Sequence, residues 1–450
     1  MTVDGTVEKV AEARDFGLVR AIRKWDLLAI ALNGIIGAGI FGLPSKVYGL
    51  TGTASILAVA GCAVVVGLIV LCFAEVSSRY NQSGGPYLYA RQAFGPAIGF
   101  EVGWMIWLAR LTSFAANCNL MVLYLTFFWP GVASGAARTF IITAVVVSLT
   151  VINLAGVRQA TSVGNAFTIA KVLPLVLLAG AGLFFLKPHN FHSPINPGYR
   201  QFSTAVLLLI YAFTGFETAV IPVGEVKNPR RDLPVALLGA LAIVAVLYTL
   251  IQVVCIGTVP ELAESTKPLA DAATSFLGTA GGAIITAGAA ISILGNLSII
   301  VLAAPRIPFA MAELGQLPPV FSAVHPKYKT PHISIMLSGA MMLVLSLSGS
   351  FLEALTISTL ARLFSYLAAC AALPVLRRRA DAPAALFRAP GGVVLSVLAV
   401  ILSVWLLSNV SWDEGRNTIF AALLGLVCYI AVRCWDRRRA SKNPGGSDPV

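Results

Sequence analysis

The stretch NGIIGAGIFGLP, residues 33–44, lies inside an apolar segment that is long enough to cross a lipid bilayer. It holds four glycines, and each glycine in a helix interior costs about 1 kcal/mol relative to alanine. A break of the helix in lipid leaves backbone N–H and C=O groups unpaired, at a cost of several kcal/mol each. The stretch therefore predicts a spanning helix that is interrupted where its backbone polar groups find other partners.

The composition indicates that the whole chain is a membrane protein. Of its 450 residues, 57% are hydrophobic and 12% are charged, whereas soluble domains carry roughly 25% charged residues. The first 26 residues are polar and show no cleavable signal peptide. Seven cysteines are scattered singly without a CxxC spacing, and we interpret them as small hydrophobic residues.

The apolar segments predict an all-α integral membrane protein with twelve transmembrane helices, which we call spans 1 to 12. Most of the segments reach the ~20 residues that a helix needs to cross a bilayer. They cover residues 27–50, 53–78, 98–128, 138–154, 163–186, 202–224, 233–259, 280–305, 332–348, 352–373, 393–411 and 418–435.

The net charge of +12 follows the topology and does not indicate a nucleic-acid partner. If the N-terminus is inside, most Lys and Arg residues fall in the inside segments. The outside segments hold only Lys46, Arg138, Lys187, Arg200, Lys267 and Arg416. This asymmetry predicts a multi-pass protein of the cell inner (plasma) membrane, in contact with the lipid bilayer, with both termini cytoplasmic.

A second interruption is predicted in span 6, at YAFTGFETAVIP, residues 211–222, where Gly215 follows Gly39 by 176 residues. Five spans separate the two interruptions, so the second half of the chain runs with inverted topology. Paired interruptions at matching positions of two halves indicate a transporter binding site. The predicted organisation is a cytoplasmic tail at 1–26, repeat 1 at 27–186, repeat 2 at 202–373, two further helices at 393–435 and a cytoplasmic tail at 436–450.

Each interruption offers backbone groups to a ligand. The half-helix that begins near Gly39 presents free N–H groups and a positive dipole end, which suit a carboxylate. The half-helices that end near Ile35 and Phe213 present free carbonyls, which suit an ammonium. The alternative is a packing motif of small residues, because GIIGAG also contains a small-xxx-small pattern.

Four motifs resemble those of the amino acid–polyamine–organocation (APC) permeases. They are IIGAGIFGLPS in span 1, GGPYLYARQAFGP after span 2, FTGFET with EVKNPRRDLP in and after span 6, and RIPFAMAELGQLPPVFSAVHPKYKTP after span 8. The resemblance extends from about residue 20 to residue 435. It implies a LeuT-type 5+5 inverted repeat, with discontinuous helices in spans 1 and 6, and alternating access around a site at the membrane midplane.

The resemblance also implies a set of substrate-binding residues. The substrate carboxylate would meet the backbone of Ala38, Gly39 and Ile40. Its ammonium would meet the carbonyls of Ile35, Phe213 and Ala212. Thr214 and Glu217 occupy the positions of a pocket residue and a conserved acid in the family. Ala38 replaces a serine that some relatives carry, which removes a hydroxyl but leaves the backbone site.

Lys171 in span 5 is a charged residue in an apolar segment and needs a partner or a purpose. In sodium-coupled relatives of this fold, span 5 lies beside a bound sodium ion, and in some proton-coupled members a lysine replaces that ion. The resemblance therefore implies proton coupling through Lys171. The alternative is a lysine that reaches back to the cytoplasmic interface.

Arg110 lies about twelve residues into span 3, near mid-membrane. It disfavours a cationic substrate by like-charge repulsion. Three roles stay open: pairing with Glu217, binding an anionic substrate side chain, or a structural hydrogen-bond cluster. Arg362 in span 10 is expected to support gating or packing, and Phe216, beside the span 6 break, is a candidate gate.

The sequence thus predicts a secondary active transporter for amino acids, neutral ones in particular, that is coupled to protons. No catalytic residues, metal site or cofactor are expected, and the coupling ion is H⁺. The alternatives are an amino acid exchanger or exporter without proton symport, and a membrane amino acid sensor that does not transport. A membrane enzyme is disfavoured because no nucleophile–base pair or metal set lies at one membrane depth.

Overall fold

The computed structural model describes residues 22–80, 85–155, 161–192, 195–220 and 226–442, and this part of the chain is helical. The only strand-like pairing within it is a single bridge between Ile22 and Val226. The α-helices are α1 Lys24–Ile35, α2 Ala38–Thr51, α3 Ser55–Ser77, α4 Gly85–Phe94, α5 Pro96–Leu125, α6 Gly135–Ala155, α7 Thr161–Gly182, α8 Tyr199–Phe213, α9 Pro229–Thr258, α10 Pro268–Ala303, α11 Arg306–Glu313, α12 His332–Ser348, α13 Phe351–Arg378, α14 Gly392–Ser408 and α15 Trp412–Lys442.

Within these residues, seven helical stretches are long and apolar enough to cross a membrane, and three shorter apolar helices accompany them. The all-α prediction is confirmed for this part of the chain. The exact count of twelve spans and the inverted repeat stay predictions. The last helix continues to Lys442, beyond the predicted end of span 12 at 435.

Both predicted interruptions are present. In span 1, α1 ends at Ile35 and α2 begins at Ala38, with extended backbone at Gly37 (φ −131°, ψ −155°). In span 6, α8 ends at Phe213, Thr214 is extended, and Gly215 adopts φ +105° before a short 3₁₀ turn. A positive φ of this kind favours glycine, which has no Cβ to clash with the backbone.

The two interrupted helices touch backbone to backbone. A Cβ at Gly215 would collide with the carbonyl oxygen of Gly34, and a Cβ at Gly34 would collide with the carbonyl oxygen of Gly215. Further along, a Cβ at Gly39 would lie 2.6 Å from the Cα of Ala212. The glycines of the opening stretch therefore serve the close crossing of spans 1 and 6 as well as the break.

Two long helices form the centre of the bundle around this crossing. Of the 18 consecutive residues that are most apolar in each helix, 83% are buried in α5 and 72% are buried in α13. In α6 and α15 the buried share is 11%, so these helices lie at the periphery, where lipid covers apolar side chains. Mid-membrane charges of α5 and α13 are thus directed into protein rather than lipid.

Glu75, to which the sequence assigned no role, connects three elements at the cytoplasmic end of the bundle predicted above. Its carboxylate accepts two hydrogen bonds of 2.6 Å from Arg377 and one of 2.8 Å from the backbone N–H of Ala389. Because a bidentate guanidinium–carboxylate pair is strong and directional, it holds α3, α13 and the segment before α14 together.

We predict that Gly34→Ala destabilises the protein by about 1–3 kcal/mol, because the added methyl group overpacks a contact with backbone that cannot yield. Gly61→Ala in α3 is the matched control, since a Cβ there has no atom within 4 Å. It is expected to be neutral or mildly stabilising. Thermal unfolding of the detergent-purified variants measures both, and equal melting temperatures would refute the backbone crossing.

Candidate substrate site

The two helix breaks open onto one central cavity, which contains ≈ 490 Å³ of space. Six helical segments contribute to its wall: α1, α2, α5, the end of α8 with its following turn, α10 and α13. The lining residues are Gly34, Ile35, Gly37, Ala38, Gly39, Arg110, Ser113, Tyr211, Thr214, Gly215, Glu217, Thr218, Asn296, Ile299, Ile300 and Arg362.

Six of the predicted binding residues lie on this wall: Ile35, Ala38, Gly39, Arg110, Thr214 and Glu217. Ile40 and Ala212 line a smaller neighbouring cavity of ≈ 220 Å³, together with Gly39. Phe213 lines neither of these cavities, because its ring packs against Tyr248 at 5.3 Å between centroids. The part of each residue in binding a substrate stays a prediction.

The start of α2 provides the expected donor end. Ala38, Gly39 and Ile40 are its first three residues, so their N–H groups have no helical carbonyl four residues earlier. Ala38 and Gly39 reach the central cavity. Glycine at 39 makes room for Ala212 of α8, because an added Cβ would lie 2.6 Å from the Cα of Ala212.

Some carbonyl groups at the ends of α1 and α8 accept hydrogen bonds from side chains of the protein itself. Ile35, whose carbonyl accepts a 3.4 Å hydrogen bond from Tyr248, lies on the cavity wall. At the end of α8, the Thr214 hydroxyl donates to the carbonyl of Tyr211 at 2.8 Å. Thr214 therefore closes the helix end while it also faces the cavity.

Glu217 is the centre of a buried charged cluster. One carboxylate oxygen forms an ion pair with Arg362. The other accepts hydrogen bonds from the Tyr366 hydroxyl at 2.9 Å and from the backbone N–H of Gly215 at 2.8 Å. Such pairing offsets the cost of a carboxylate in the membrane interior.

The suggested pair between Arg110 and Glu217 is wrong, because the ion-pair partner of Glu217 in the described residues is Arg362 of α13. Arg362, expected to act in gating or packing, is thus a wall residue of the site. Tyr366, one helical turn further along α13, was missed by the sequence analysis. Its spacing of four from Arg362 is the signal that could have placed both on one face.

Arg110 lies within electrostatic range of this cluster but forms no ion pair with Glu217 in the described residues. It is 8% exposed and lies on the cavity wall. In the described part of the chain its guanidinium has no hydrogen-bond or salt-bridge partner. The role that remains for it in the geometry is toward the contents of the cavity.

A polar network that the sequence analysis also missed joins three helices at the wall of the same cavity. Asn296 of α10 donates to Asn117 of α5 at 3.1 Å, and Asn117 donates to the hydroxyl of Tyr211 at 2.8 Å. Ser113 donates to the same hydroxyl at 3.3 Å. Amide side chains in the middle of apolar spans are the signal for such a network.

Lys171 is buried, with 1% exposure, and its ammonium donates a 2.8 Å hydrogen bond to the side-chain carbonyl of Asn33. The ammonium thus reaches α1 and not the cytoplasmic interface, which argues against the alternative of a lysine extended to water. The contact is to a side chain two residues before Ile35 rather than to backbone carbonyls. Its part in coupling stays a prediction.

Phe216, the candidate gate, lies in an aromatic cluster and outside the cavity wall. Its ring meets Phe73 edge to face and Tyr366 at a tilt, each at 5.3 Å between centroids. Phe73 also meets Tyr366 at 5.3 Å, so the three rings join α3, α13 and the turn after α8. Since Tyr366 also holds Glu217, the cluster adjoins the site.

Comparison with known proteins identifies the family of this chain. Residues 22–431 match the family model described as "Amino acid permease". A branched-chain amino acid permease of Bacillus subtilis is 26% identical over 93% of this chain and 94% of its own. From the same organism, a serine/threonine exchanger is 29% identical over 95% and 99%, and a methylthioribose transporter is 28% identical over 93% and 94%.

We predict strong coupling between Glu217 and Arg362 in a double-mutant cycle. Glu217→Gln and Arg362→Met each leave one buried charge uncompensated, at about 3–5 kcal/mol. The double variant is expected to lose less than the sum of the two by at least about 1 kcal/mol. Chemical unfolding in detergent micelles measures the free energies.

The matched control is the cycle between Glu217→Gln and Arg110→Met, in which no direct pair is removed. Its coupling energy is expected to be smaller than that of the Arg362 cycle. A larger coupling energy with Arg110 would contradict the pairing described here.

Proposed function

Because this chain belongs to the amino acid permease family of the APC superfamily, we propose that it is a secondary transporter that carries an amino acid by alternating access. It is a multi-pass membrane permease and not an enzyme. The proposed location is the cell inner membrane, with both termini cytoplasmic, as the distribution of basic residues favours.

One observation carries the proposal: a single cavity contains the N–H end of one half-helix and the carbonyl end of another. An amino acid has a carboxylate and an ammonium on the same carbon, so it can satisfy both ends at once. The N-terminal end of α2 is the carboxylate side. The carbonyl end of α1 at Ile35 is the ammonium side.

The charges on the wall restrict the substrate side chain. Arg110 and Arg362 face the cavity with Glu217 as the opposing carboxylate, so the described wall has a net charge of +1 when all three are ionised. Like-charge repulsion disfavours a cationic side chain. Neutral side chains, the class that the sequence predicts, and acidic side chains are both compatible with this charge.

Proton coupling is proposed through Lys171. Its hydrogen bond to Asn33 joins α7 to α1, the half-helix whose end forms the ammonium side of the cavity. When the amine loses its proton, the attraction to the Asn33 oxygen weakens and α1 is freed to move. A proton biases the access states only through such a difference in its affinity for them.

Uptake into proteoliposomes tests the proposed function. We expect an unlabelled amino acid inside to drive counterflow of its labelled form, and an acidic outside buffer to raise accumulation. A gradient of about one pH unit is worth about 1.4 kcal/mol per proton, or up to about tenfold in accumulation.

Each other outcome points to a named alternative. Counterflow without any response to pH would support an exchanger, the activity named for the serine/threonine relative. Binding without uptake would support a sensor. Movement of methylthioribose, the substrate named for another relative, in place of every amino acid would refute the proposal.

We predict that Lys171→Ala keeps substrate binding and counterflow but loses the stimulation by an inward proton gradient. Lys171→Arg is also expected to lose it, because a guanidinium stays charged at any relevant pH. Lys327→Ala is the matched control, since Lys327 is exposed and lies in the segment between α11 and α12. If the proton gradient still fully stimulates uptake into Lys171→Ala liposomes, a group other than Lys171 carries the proton.

A further inference from the structure

The charged groups on the cavity wall are unevenly paired. The carboxylate of Glu217 is fully used by Arg362, Tyr366 and the backbone of Gly215. Arg110 faces the same cavity and, among the described residues, has neither an ion-pair nor a hydrogen-bond partner. The described wall therefore has two guanidinium charges for one carboxylate, and one positive charge is left over.

An uncompensated guanidinium in a membrane interior is costly. Arg110 is 8% exposed in the packed centre of the bundle, and it lines the cavity. An anionic group in the cavity would remove the cost. The guanidinium fork suits a carboxylate, since it can donate two parallel hydrogen bonds to its two oxygens.

The α-carboxylate of an amino acid already has a place at the start of α2, where Ala38 and Gly39 offer backbone N–H groups. Arg110 is on a different helix of the wall, α5, and is left for a second anionic group. A neutral amino acid would leave it unpaired. An amino acid with an acidic side chain would bring one net negative charge and make the loaded cavity neutral.

We infer that the substrate has a second carboxylate on its side chain, as in aspartate or glutamate, and that Arg110 binds this group. The inference rests on the proposed function and narrows its substrate class from neutral or acidic to acidic. Arg110 is then the specificity residue. The pairing of Glu217 with Arg362 keeps the protein's own carboxylate from competing for it.

The test compares each acid with its amide, because glutamate and glutamine, like aspartate and asparagine, have nearly the same shape and differ in charge. Binding is measured on the purified full-length protein by ligand-induced thermal stabilisation, in a buffer without carboxylate anions and at one low chloride concentration for acid and amide. We expect one acid to bind at least about tenfold more tightly than its amide, which corresponds to about 1.4 kcal/mol.

Arg110→Gln is expected to bind the acid and its amide with about equal affinity. Arg110→Lys is expected to keep part of the preference, because the positive charge remains although the guanidinium fork is lost. Arg200→Gln is the control, since it removes the same charge at an exposed position outside the cavity. If Arg110→Gln does not fold, the ratio of the affinities for acid and amide, measured on the wild-type protein, still tests the inference.

The failures of the two proposals are distinguishable. Wild-type protein that binds neutral amino acids as tightly as acidic ones, or Arg110→Gln that keeps the acid preference, overturns the inference and leaves amino acid transport standing. If no amino acid binds or exchanges, the proposed function fails and the inference fails with it.

Discussion

The structure depends on the rule that backbone N–H and C=O groups inside a bilayer must be satisfied within the protein. Spans 1 and 6 break this rule locally, at Gly37 and at Thr214–Gly215. The breaks are tolerated because the two helices cross at Gly34 and Gly215 in the centre of the bundle, away from lipid. The groups left over face one cavity, and that cavity is the proposed substrate site.

Charged side chains in the membrane interior also need partners within the protein, and this requirement explains the cluster beside the breaks. Glu217 follows the span 6 break directly, and its carboxylate binds back to the N–H of Gly215, so it stabilises the broken backbone as well as Arg362. Tyr366 links this cluster to the rings of Phe73 and Phe216. The helix break, the ion pair and the aromatic cluster are thus one connected unit.

On the other side of the crossing, Lys171 holds α1 through Asn33. The half-helix α1 is therefore held at two points near its end. The backbone of Gly34 contacts Gly215, and the side chain of Asn33 accepts the hydrogen bond from the Lys171 ammonium. The first contact is steric, and in the proposed coupling the second depends on a proton. In that proposal, this difference lets a proton bias the position of α1 without disturbing the crossing.

The sequence by itself determined the membrane class, both helix breaks and the family, because hydropathy, glycine spacing and motifs are local properties of the chain. It also identified Arg110, Lys171 and Glu217 as residues in need of partners. Only the tertiary structure decided the partners: Glu217 pairs with Arg362, 145 residues away, and the Cβ position of Gly39 points at Ala212. Such pairs depend on how each helix is rotated about its axis and which helix packs beside it. An almost uniformly apolar span has a weak periodicity and leaves that rotation open.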